Sequence, residues 1–112
     1  MVVFSRAAQC FASAEQTLAA RNEIGRDRAI AAALLECNEG LSSISRDRLS
    51  GPAIAWVSEL DSLLDYSGLQ IPEGSGGIAT KAATLTAEDV GRVAELVTSL
   101  QKWLSTENRK GF

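Results

Sequence analysis

The chain is expected to be all-α, an antiparallel four-helix bundle made of two helical hairpins. Three observations predict this. Apolar residues recur at intervals of three and four, the spacing of one helix face. Glycine, proline and threonine stand where those series start and stop. A chain of 112 residues with 46% hydrophobic content can bury one core and is short for two. Residues 1–112 are therefore read as a single domain.

The first helix is expected over about 2–21, with Phe4, Ala7, Phe11, Ala14 and Leu18 on one side. The segment Asn22 to Gly25 interrupts that series and reads as a turn. The second helix, about 27–46, carries Ile30, Leu34, Cys37, Leu41 and Ile44. Its series runs through Gly40. Glycine weakens a helix interior by about 1 kcal/mol relative to alanine, so Gly40 could instead be a left-handed cap. The unbroken apolar spacing favours continuation. Folded back on the turn, Phe4 meets Ile44, Ala7 meets Leu41, Phe11 meets Cys37, Ala14 meets Leu34 and Leu18 meets Ile30. Alanines then face leucines, as interdigitated layers require.

Ser50-Gly51-Pro52 marks the start of the third helix, about 52–66, because proline suits a first helical turn. Ala53, Val57, Leu60 and Leu64 form its stripe, with Trp56 and Leu63 beside it. Thr86 can cap the fourth helix, about 87–105, and Glu88 and Asp89 suit the positive end of its dipole. Val90, Val93, Val97, Leu100 and Leu104 supply the stripe, flanked by Leu96 and Trp103. Set antiparallel, Leu64–Val90, Leu60–Val93, Val57–Val97 and Ala53–Leu100 make a second ladder. The two hairpins bury their apolar sides against each other.

Between the third and fourth helices lies a long glycine-rich loop, residues 68–85. Gly74-Ser75-Gly76-Gly77 reads as flexible, and the segment exceeds what a bundle connection needs. For Ile78 to Leu85 two alternatives stay open. It packs along the bundle, with room for a short helical turn, or it is mobile.

The chemistry-bearing residues are sparse. There is no histidine, the commonest general base and metal ligand. The glycine cluster lacks the lysine and hydroxyl of a phosphate loop and follows no strand. Most acidic residues fall off the apolar stripes and read as solvated. These features argue against an enzyme, and no catalytic residue, metal site or cofactor is expected. Cys10 and Cys37 stand at similar heights in the first hairpin and read as two small buried hydrophobes with reduced thiols, the alternative being a redox disulfide between them. The opening Met-Val-Val-Phe-Ser-Arg is too short for a signal-peptide core and no apolar run reaches ~20 residues, so a cytoplasmic location is expected. A formal charge of −3 with no basic run argues against nucleic acid, and no membrane partner is expected either.

By elimination, the leading expectation is a non-catalytic protein–protein interaction module: an adaptor, a chaperone, or an immunity or inhibitor-type protein. Its partner would be another protein or a second copy of the chain, as a homodimer. The candidate partner-binding residues are Val3, Ala8 and Ala12 on a first helix that is apolar nearly all round, the two tryptophans Trp56 and Trp103, and the arginine pairs Arg26/Arg28 and Arg46/Arg48, whose guanidinium forks suit anionic groups. The alternative is a small-ligand-binding or regulatory bundle whose pocket is covered by the 68–85 loop.

Overall fold

A computed structural model describes residues 5–44, 47, 49–71, 73–74 and 76–110. The chain is all-helical, with no strand among the described residues. Its elements, in order, are α1 (Ser5–Ala19), α2 (Arg21–Ile24), α3 (Arg26–Ser42), α4 (Pro52–Leu64), α5 (Gly77–Thr84) and α6 (Ala87–Lys110). None of the described helices is long and apolar enough to cross a membrane.

The apolar stripes read from the sequence are the core. Ala7, Phe11, Ala14 and Leu18 of α1 are buried with Ile30, Leu34, Cys37 and Leu41 of α3. Ala53, Val57, Leu60 and Leu64 of α4 join Val93, Val97, Leu100 and Leu104 of α6 in the same cluster. Burial of aliphatic side chains at roughly 1.5–3 kcal/mol each is the main stabilising contribution. No charged or polar side chain is buried among the described residues. α1 packs against α3 and also against α6, α4 against α6, and α5 against α3.

Polar links tie α1 to α3 beside the core. The Arg6 guanidinium pairs with Glu39, and the Ser13 hydroxyl donates to Glu36. Thr17 donates to the same carboxylate at 2.9 Å. Gly40 is buried inside α3, where the helix runs on without a break. A Cβ at Gly40 would stand 3.1 Å from Cβ of Cys10 and 3.2 Å from Cε2 of Phe11. The missing side chain lets the two helices approach closely, which is the reason for tolerating glycine there.

Several boundaries differ from those the sequence suggests. α3 ends at Ser42 rather than near residue 46. The Ser43 hydroxyl donates to the Gly40 carbonyl at 2.8 Å, and its backbone N–H turns to the same oxygen. Serine competes in this way with the regular helical bond and ends the helix early. α4 ends at Leu64, where Asp65 accepts a hydrogen bond from the Ser67 N–H at 2.9 Å and turns the chain. The backbone break near Gly25 shortens to one residue between α2 and α3, with Gly25 at φ +111°. α6 starts as expected. Thr86 Oγ1 accepts from the Asp89 N–H, and Asp89 accepts in return from the Thr86 N–H, both at 3.1 Å. The helix then runs 24 residues, beyond the expected end at 105.

In the segment 68–85, of the two alternatives for Ile78 to Leu85 the structure shows the packed one, as a full helix in place of a short turn. The second half of the segment is α5, with Ile78 and Ala82 buried on one face and Leu85 buried just after it. Their spacing of four and three is a helical stripe. Arg26 donates to the Leu85 carbonyl at 3.1 Å, which ties the end of α5 to the start of α3. Gly77 faces Tyr66, whose ring occupies the space a Cβ would fill.

Candidate interaction surface

The nine candidate residues do not form one patch. Ala8 and Ala12 on α1 are half-buried, and Ala8 packs against the core. α3 and α6 both pack against α1, and Ala19 on the same helix is exposed. Arg26 spends its guanidinium on the Leu85 carbonyl and on Asp27 at 2.8 Å. Arg28 is exposed. Val3, Arg46 and Arg48 lie outside the described residues.

Trp56 and Trp103 are brought together. Both are half-buried against the core, one from α4 and one from α6. They line a shallow groove of about 380 Å³ with Ser99, Lys102, Thr106 and Glu107. This position follows from their offset in sequence. Trp56 precedes the buried Val57, and Trp103 precedes the buried Leu104, so each ring lies at the edge of its helix's apolar stripe.

A second groove of about 580 Å³ lies between the same two helices. Glu59 and Leu63 of α4 line it, with Glu88, Asp89, Arg92 and Glu95 of α6. Arg92 links the two sides. Its Nη2 donates to Glu59 Oε1 at 2.6 Å, its Nε reaches the other Glu59 oxygen, and its Nη1 donates to Glu95 at 3.0 Å. The hydrogen bonds from Arg92 hold the Glu59 carboxyl below the ordinary carboxylate range. The same two glutamates raise the guanidinium's own pKa, so it stays a cation.

Elsewhere, large apolar side chains face solvent. Leu35 is 54% exposed and Ile54 56%, with Ile24, Tyr66 and Ile71 also exposed. Reading the sequence by stripes passes over these residues, since each stands off the buried series. The signal for Ile54 is its place inside Pro52–Val57, a run more apolar than one buried stripe requires. Cys37 is buried and Cys10 half-buried, both as free thiols. Burial pushes the Cys37 thiol up to about 12, and Glu36 and Cys10 push in the same direction. No group of three or more acidic or thiol side chains is placed to hold a metal ion among the described residues.

Compared with known proteins, the chain matches no family model, no curated protein and no solved structure.

Proposed function

We propose that this chain is a non-catalytic protein–protein interaction module, an adaptor, chaperone or inhibitor-type protein that binds through an apolar helical face. The observation that carries this reading is the surface of α4. It sends Ala53, Val57, Leu60 and Leu64 into the core and still leaves Ile54 exposed and Trp56 half-exposed. A helix apolar on more sides than the folded chain covers has surface to spare for another molecule. In this reading α1 with α3, and α4 with α6, are the two hairpins of an antiparallel four-helix bundle. The Arg6–Glu39 and Arg92–Glu59 links support that arrangement. The free thiols suit a cytoplasmic setting.

The test is capture from the protein's own cell combined with light scattering. The wild-type chain is expected to retain a partner or to self-associate with rising concentration, and Ile54→Ser to reduce that association. A strict monomer at high concentration that captures nothing overturns the reading.

A small-ligand role has one observation in its favour. A cleft of about 390 Å³ lies beside the end of α4, lined by Asn38, Asp61, Tyr66 and Ile78 among others. A ligand there should raise the melting temperature in proportion to its concentration. A flat thermal-shift screen across metabolites counts against it.

A further inference from the structure

The two grooves between α4 and α6 lie along the same side of that helix pair, by the helical spacing of their lining residues. Trp56, Glu59 and Leu63 step along α4 by three and four, lining its side from the tryptophan groove to the acidic one. On α6 the lining runs from Glu88 through Glu95 and Ser99 to Thr106. At 1.5 Å per residue that stretch is about 27 Å long, the length of a helix of about 18 residues. One end is aromatic and carries one cation and one carboxylate, Lys102 and Glu107. The other carries Glu59, Glu88, Asp89 and Glu95 against one guanidinium, Arg92.

We propose that the α4–α6 seam is a docking groove for a basic amphipathic helix of another protein. An apolar side chain of that helix sits between Trp56 and Trp103, and its lysines or arginines lie against the acidic end. The mode is helix-in-groove recognition, with anchors at helical spacing. Charge selects the occupant. Four carboxylates exceed what Arg92 neutralises, so the acidic end attracts cations and repels phosphates, which disfavours nucleic acid and anionic lipid. A second copy of this chain, at a formal charge of −3, brings no surplus of basic residues. The proposal rests on the interaction reading above and names the surface and the partner's chemistry.

The test uses an 18-residue leucine–lysine amphipathic peptide, its leucine–glutamate counterpart, and the whole chain. The chain's two tryptophans both flank the seam, so their fluorescence reports occupancy. The leucine–lysine peptide is expected to shift their emission to the blue and to bind more weakly as salt rises from about 50 to about 300 mM. Glu88→Gln with Glu95→Gln should weaken it about fivefold. Glu15→Gln with Glu23→Gln removes the same charge from α1 and α2, where both residues are exposed, and should change binding less than about twofold. The leucine–glutamate peptide should not bind. Equal weakening by both double variants, equal binding of both peptides, or no binding overturns the groove. Amide exchange separates this from the broader reading. Protection on α4 and α6 supports the seam, whereas protection confined to α1 and α3 sinks the seam and leaves an interaction protein standing.

Discussion

Gly40 of α3 and Phe11 of α1 meet so closely that a methyl group would fit only if its neighbours gave way by a few tenths of an ångström: a Cβ on Gly40 would lie 3.2 Å from the Phe11 ring. Phe11 is fully buried, and the other close neighbour is the Cβ of Cys10, which moves only with its backbone. Alanine at Gly40 would gain about 1 kcal/mol of helix propensity. The contact opposes that gain, and larger side chains have no compensation. Gly40→Val is expected to destabilise the chain by about 2 kcal/mol or more. Urea unfolding checks this through the midpoint at constant slope. An unchanged midpoint would show that α1 and α3 do not approach closely here.

The second prediction concerns α5. Ile78 and Ala82 are buried on α3, so the segment is part of the core and not a free loop. Ile78→Ala should cost about 2 kcal/mol, while Ala79→Ser, on the exposed side, should cost little. Limited proteolysis is expected to spare residues 77–84 in the wild type. Cleavage there at the rate of an unstructured chain would return the segment to a loop.

A third expectation follows from the Cys37 thiol, raised to about 12 chiefly by burial. Its thiolate is scarce at neutral pH, and a thiol reagent should modify it only after denaturation. Linkage gives the sign of the pH effect. Between pH 9 and about 12 the unfolded chain releases this proton while the folded chain keeps it, so stability falls as pH rises. Cys37→Ala should flatten that fall without removing the parts due to other groups. Rapid native labelling of Cys37 would contradict its burial.

The Arg92–Glu59 pair makes the opposite prediction at low pH. Arg92 lowers the folded pKa of Glu59, so the pair's contribution is complete above about pH 4.5 and fades as pH falls through the lowered value. The melting temperatures of wild type and Glu59→Gln should therefore differ near neutrality and converge in acid. High salt should shrink the difference too, because both side chains are more than a third exposed. A gap that persists at pH 2 and at high salt would mean the substitution acts through packing.

Local chemistry was legible in the sequence. The stripes through Phe11, Leu34, Val57 and Leu100 are buried, Pro52 opens α4, and Thr86 with Asp89 caps α6. Each depends on residues a few positions apart, and helical spacing reports them directly. The Ile78–Ala82–Leu85 stripe was equally present, but the glycine cluster before it masked a helix too short to hold without tertiary support. The tertiary structure decided which apolar face meets which. Periodicity shows that a side is apolar and not what covers it. Only the packing of α6 against α1 brings Ala8 against the core, and only the meeting of α4 with α6 sets Trp56 beside Trp103 and Arg92 between Glu59 and Glu95. Apart from the local Arg92–Glu95 bond, these contacts join residues 33 or more positions apart, and their geometry follows from how whole helices fit together.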